Sequence, residues 1–154
     1  MPPTTATLAP DRTSPDALQD RLRDPVLLIA RILIAGLFIY DATVMIRSPG
    51  ATMGYMQQFG VPGVLLYPTA MVLFAAGLLI VVGWQTRLAR LALAAFCVAT
   101  ALTFHGQLSD PNELIQFGKD LGLAGGFLML AAGGPGRWSA DYLARRKSPI
   151  AAPA

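Results

Sequence analysis

The sequence predicts an all-α fold, a transmembrane antiparallel four-helix bundle with both termini cytoplasmic. Three observations predict it. Of 154 residues, 54% are hydrophobic and 14% charged, with a mean hydropathy of +0.51. An ordinary soluble domain carries about 25% charged residues. The apolar residues gather into four segments, about 26–46, 61–84, 88–105 and 114–133. Each is close to the roughly 20 residues that carry a helix across a bilayer. The cationic residues are divided unevenly. Arg12, Arg21, Arg23, Arg87, Arg90, Arg137, Arg145, Arg146 and Lys147 fall on the side of the termini, and Arg47 and Lys119 on the other. Cationic loops stay inside the cell.

The elements follow in order. Residues 1–24 are polar and Pro/Thr-rich, with no apolar stretch of the kind a secretory signal needs. Ser14-Pro15-Asp16 reads as a helix start. A short surface helix over about 15–23 would set Leu18 and Leu22 on one face. Residues 25–143 form the membrane domain. In lipid each backbone amide must be satisfied within its own segment, so the spans are helices. The second span is expected to start near Pro62 and bend at Pro68. Residues 47–60 read as the longest loop. Gly133-Gly134-Pro135-Gly136 stops the fourth span, and 144–154 reads as a flexible basic tail. Gly118, Gly122 and Gly126 recur every four residues, the spacing that lets helices approach closely in lipid, within the bundle or in a homo-oligomer. Ala95 and Ala99 repeat the pattern on the third span.

Composition also excludes chemistries. A net charge of +3 without a basic cluster does not describe a nucleic-acid binder. One cysteine, Cys97, and one histidine, His105, supply no disulfide, no Cys-x-x-Cys pair, no bis-histidine haem and no ordinary zinc site. The expected partners are the lipid bilayer and a soluble or membrane redox protein. No haem or metal is expected.

Ionisable residues at membrane depth are the functional candidates. Asp41 lies inside the first span, and an acid cannot snorkel far. Antiparallel helices bring Asp41, His105 and Lys119 to the outer level, with Tyr67 or Arg47 nearby. These three are the candidate catalytic residues, and Arg31, Tyr67 and Arg87 the candidate ligand-binding ones. Such a group suits a quinone headgroup, proton exchange or an anionic substrate. Its plain alternatives are ion pairing by Asp41, and water-facing interfacial roles for His105 and Lys119. At the inner level Arg31, Arg87 and Asp141 are expected to close the bundle end, and Arg31 alternatively snorkels to headgroups.

The order of several short pieces resembles the DoxX family. They are Ala30-Arg31-Ile32-Leu33, Phe59-Gly60-Val61-Pro62, Gly77-Leu78-Leu79 with Gly83 and Thr86-Arg87, and Phe104-His105. Further on come Lys119-Asp120-Leu121, Gly125-Gly126 and Gly134-Pro135-Gly136-Arg137-Trp138-Ser139-Ala140-Asp141. The resemblance implies a four-helix protein of the bacterial cytoplasmic membrane. It also implies a link to quinone chemistry, since the family is named for a subunit associated with thiosulfate:quinone oxidoreductase. Arg31, Arg87, His105, Lys119 and Asp141 match family positions. Two positions depart: Leu73-Phe74-Ala75-Ala76 is apolar where many members carry an acid, and Val44-Met45-Ile46 stands where many carry a lysine. Asp41 then stands in as the buried charge. The reading is a quinone-associated redox component whose electrons come from a partner. Its alternatives are a membrane anchor for a soluble enzyme and a small transporter, which would need dimerisation.

Overall fold

The computed structural model describes residues 15–84 and 86–147. The expectations for 1–14, including the Ser14 cap, and for 148–154 lie outside the described residues. The described residues form six α-helices and a 3-10 turn: α1 (Pro15–Arg47), α2 (Pro49–Gln58), the 3-10 turn (Gly63–Leu65), α3 (Leu66–Val82), α4 (Thr86–Phe104), α5 (Pro111–Gly133) and α6 (Ala140–Lys147). Four of them are long and apolar enough to cross a membrane, with the second span taken from Gly63. Their outer faces carry large apolar side chains in the open, such as Leu33, Met71 and Met129. A water-facing surface does not tolerate apolar area on this scale, whereas lipid does.

Local chemistry fixes the ends. Asp110 caps α5 by accepting from Asn112 N at 2.7 Å, and Pro111 follows at the first helical position. α3 ends at Gly83, whose φ of +81° only glycine adopts freely; its N–H donates to Leu79 O at 2.8 Å.

The core is built from small residues. Ala35 and Ala42 on α1, Ala70 and Ala76 on α3, Ala89 and Ala94 on α4, and Ala124 on α5 are buried together, around Phe38, Leu73, Leu93 and Phe127. Small side chains bring helix axes close, which lets dispersion replace the missing hydrophobic drive in lipid. α1 packs most extensively on α3, and α4 on α5. At Gly77 a Cβ would come within 2.7 Å of Ile39 Cγ1. The rings of Phe38 and Phe127, 5.3 Å apart, join the two helix pairs.

Four expectations need correction. The surface helix and the first span are one continuous α1, with Pro25 inside it. Pro68 does not bend the second span; it sits in the first turn of α3 after the 3-10 turn, where a missing N–H costs no helical bond. Residues 47–60 are mostly helical, as α2. The basic tail is helical through Lys147, as α6.

An even number of spans returns the chain to one end. There Arg23 Nη2 donates to Gly133 O at 2.9 Å, and Arg137 N donates to Asp24 Oδ1 at 2.8 Å. This is the terminal end; α2 and the α4–α5 turn form the far end.

Candidate functional site

The far end holds a cavity of about 460 Å³ between α1, α2, α4 and α5. Its wall is largely apolar, with Phe38, Phe96, Phe104 and Leu123 among the lining residues, and Asp41, His105, Lys119 and Asp120 line it too. Helix geometry explains the convergence. Asp41 follows Phe38 by about one turn on α1 and both line the cavity, and Thr100 follows Cys97 and Phe96 on α4. The antiparallel α5 then returns Lys119 and Asp120 to the same depth.

Each polar group has a distinct environment. His105 Nδ1 lies 2.7 Å from Glu113 Oε2. The contact engages Nδ1, so Nε2 is the ring nitrogen left for a ligand. Lys119 Nζ donates to Gln116 Oε1 at 2.6 Å. Among the described residues nothing hydrogen-bonds to the Asp41 carboxyl, although it sits at membrane depth. A polar group in that position is retained for binding or proton handling more often than for packing.

Asp120 is the residue that the sequence analysis passed over. Thr100 Oγ1 lies 2.9 Å from Asp120 Oδ2 and 2.9 Å from the Cys97 carbonyl. A hydroxyl has one proton to give. Thr100 either donates to an ionised Asp120, or donates to Cys97 O and accepts from a protonated Asp120. Rotating one hydroxyl therefore accommodates both protonation states without moving a helix. The contact joins α4 to α5, so no local pattern announces it.

α2 closes the cavity from outside the membrane layer. Tyr55 stacks on Phe104 at 5.5 Å with rings 22° apart. Phe59 packs against both, at 5.1 Å from Tyr55 and 5.2 Å from Phe104. Burial pushes the Tyr55 phenol above its ordinary value of 10.0, and the negative charges of Glu113 and Asp120 push it further. Tyr55 is thus a neutral donor at and below its ordinary value. In an alkaline titration its phenolate absorbance, taken as wild type minus Tyr55→Phe, is expected to develop above pH 10.0, and Glu113→Gln to bring it back down. The folded chain holds this proton more tightly than the unfolded chain. The associated stability is therefore complete below the ordinary value and declines as pH rises beyond it. Ionisation at or below the ordinary value would contradict this placement.

The other expected site residues lie elsewhere. Tyr67 is exposed in the first turn of α3, outside the cavity lining, and Arg47 does not line it either. Arg31 is at the terminal end and buried; Nη1 donates to Pro135 O at 2.9 Å and Nη2 to Trp138 O at 2.5 Å. Arg87 is exposed. Asp141 Oδ2 accepts from Thr86 N at 3.1 Å and from Thr86 Oγ1 at 2.9 Å. Arg90, counted from sequence among the cations of the terminal side, is buried and donates to Leu130 O and to Gly134 O. Of the glycine stripe, a Cβ on Gly126 would meet Ile34 Cδ1 at 3.0 Å, while Gly118 and Gly122 have nothing within 4 Å. The terminal end is thus stitched by arginine to carbonyl bonds, and the far end gathers titratable groups around space.

Comparison with known proteins gives the family. The DoxX family model matches residues 26–106, more than half of the chain. The chain belongs to the DoxX family. Inner membrane protein YqjF of Escherichia coli strain K12 is 39% identical over 127 residues, covering 82% of this chain and 98% of that protein. Inner membrane protein YphA of the same organism is 34% identical, covering 77% and 90%. No solved structure gives a significant match. With four spans and these relatives, this DoxX protein is an integral inner-membrane protein. The matched region contains Asp41, Tyr55, Thr100 and His105; Lys119 and Asp120 lie beyond it.

Proposed function

We propose that the far-end cavity binds a quinone-class ligand and exchanges protons with it, acting with a partner protein that supplies electrons. The observation that carries this reading is the pairing of an aromatic, apolar wall with Asp41, His105, Lys119 and Asp120 in one space of about 460 Å³. Ligand pockets of roughly 300–1,000 Å³ with a few convergent polar groups suit flat apolar rings. The residues present fit such a ring. Phe38, Phe96 and Phe104 offer apolar and aromatic contact, while Lys119 and His105 offer donors for ring oxygens. A quinone, when bound, takes up two electrons and two protons. The chain's part is to hold protons at Asp41 and at the Asp120–Thr100 pair and to exclude bulk water with α2. The arginine and lysine balance supports cytoplasmic termini, which sets the cavity toward the periplasm.

Calorimetry of decylubiquinone with the full chain in lipid nanodiscs tests this. Saturable binding is expected, weakened about tenfold or more in Asp41→Asn combined with His105→Ala, as the loss of one charge-assisted hydrogen bond implies. Absent binding, or equal affinity in the double variant, sinks the proposal. A second reading, a membrane anchor for a soluble enzyme, is favoured by the exposed Arg145, Arg146 and Lys147 on α6. Under it the double variant retains the partner and shows no quinone effect.

A further inference from the structure

We infer that the terminal end carries a second site, a groove that holds the headgroup phosphate of an anionic phospholipid. This inference does not rest on the reading of the far-end cavity. The groove, of about 440 Å³, lies between the start of α1, the turn before α6, and α6 itself. Arg21, Arg137 and Arg146 line it, with Asp24 as the one acid in its lining. Asp24 is already engaged. Its Oδ1 accepts from Arg137 N at 2.8 Å, and its Oδ2 lies 3.9 Å from Arg137 Nε. Among the described residues neither Arg21 nor Arg146 has an acceptor. The groove is therefore left with uncompensated positive charge in a planar, multidentate form that matches a phosphate diester.

Position selects the source of that phosphate. The apolar run of α1 begins at Val26, and Arg21 precedes it by just over one turn, on the headgroup side of the hydrocarbon. Trp138 and Tyr142, side chains typical of that level, line the same groove. Leu22 and Val26, exposed on α1, continue from it toward the hydrocarbon and offer a track for acyl chains. A zwitterionic lipid would bring its own ammonium into a groove that already has surplus cation. An anionic lipid such as phosphatidylglycerol does not. Basic pockets at the ends of spans recognise such headgroups by this means.

The test uses the full chain in a neutral detergent doped with equal phosphatidylglycerol and phosphatidylcholine, read by native mass spectrometry. The wild type is expected to retain phosphatidylglycerol preferentially. Arg21→Gln with Arg146→Gln is expected to lower that retention by roughly thirty-fold, since each lost cation near the headgroups removes about one unit of binding free energy on the kcal/mol scale. Arg145→Gln with Lys147→Gln removes the same charge from α6 outside the groove and is expected to change retention little. Equal losses in the two pairs would reduce the effect to general surface charge and overturn the site. Equal retention of the two lipids by the wild type would do the same. Displacement of the lipid by inorganic phosphate alone would reassign the groove to free phosphate and overturn the lipid reading.

Discussion

Replacing Arg31 with leucine is expected to destabilise the bundle by about 3 kcal/mol, the sum of two charge-assisted hydrogen bonds less what leucine recovers in packing. The two effects oppose each other. Burying a guanidinium is costly, and Arg31 Nε has no partner among the described residues, so removing the charge relieves strain on the ledger of solvation. A buried ion pair can be replaced by apolar residues at little cost when both partners go. Here the partners are the backbone carbonyls of Pro135 and Trp138, and a substitution cannot remove them. Two orphaned carbonyls near the bilayer outweigh the relief. Arg31→Lys is expected to recover about half of the loss, since a single ammonium is a point charge and lacks the fork that spans two carbonyls. Unfolding in detergent micelles reads both variants. Arg31→Leu matching the wild type in stability would refute the stapling role. Decylubiquinone affinity should hold in folded Arg31→Lys, because the far-end cavity is at the opposite end of the bundle.

The contrast between the two ends explains what the sequence made legible. The four spans could be read because the bilayer demands a contiguous apolar length and tolerates few exceptions. The convergence of Asp41, His105 and Lys119 could be read because antiparallel helices of known length fix depth. Depth alone did not place Tyr67, which shares the level of the cavity but faces away from it. The start of α4, two residues ahead of the expected start of the third span, is set at long range. Its first-turn donors, Thr86 N and Oγ1, are satisfied by Asp141, 55 residues further on, so no local cap marks it. Arg90, one turn inside the helix, is a buried staple because the carbonyls of Leu130 and Gly134 on the neighbouring segment accept from it. α2 was hidden by Gly50 and Gly54, which weaken helical propensity. It forms because Pro49 starts it, because Met56 is buried, and because the rings of Tyr55 and Phe59 pack against Phe104. Asp120 was overlooked because Lys119 beside it carries the more conspicuous charge. Its partner Thr100 is on another helix.

Gly83→Ala is expected to be the most damaging single-atom change in the chain, at about 2–5 kcal/mol. Two independent causes add. A φ of +81° costs a residue with a Cβ roughly 1–2 kcal/mol, and overpacking a tight contact costs about 1–3 kcal/mol. The contact is severe: the new Cβ would lie 2.6 Å from Ser139 Cβ, 2.7 Å from Arg31 Nη1 and 2.9 Å from Ser139 Cα. Relief requires moving backbone, and Gly83 O also accepts the Asp141 N–H at 2.9 Å, so the displacement reaches α6 and the cap it supplies to α4. Gly83→Asn separates the two causes. Asparagine tolerates the left-handed conformation better but brings the same Cβ, so it should recover the strain and keep the clash. Because alanine strikes the same guanidinium that Arg31→Leu removes, the double variant is expected to lose less than the sum of the singles. Residues in contact couple in this way, while distant ones add to within about 0.5 kcal/mol. Unfolding midpoints for the four chains of this cycle measure the coupling. Strict additivity would mean that Gly83 and Arg31 act separately, and that the terminal end is not one interlocked unit.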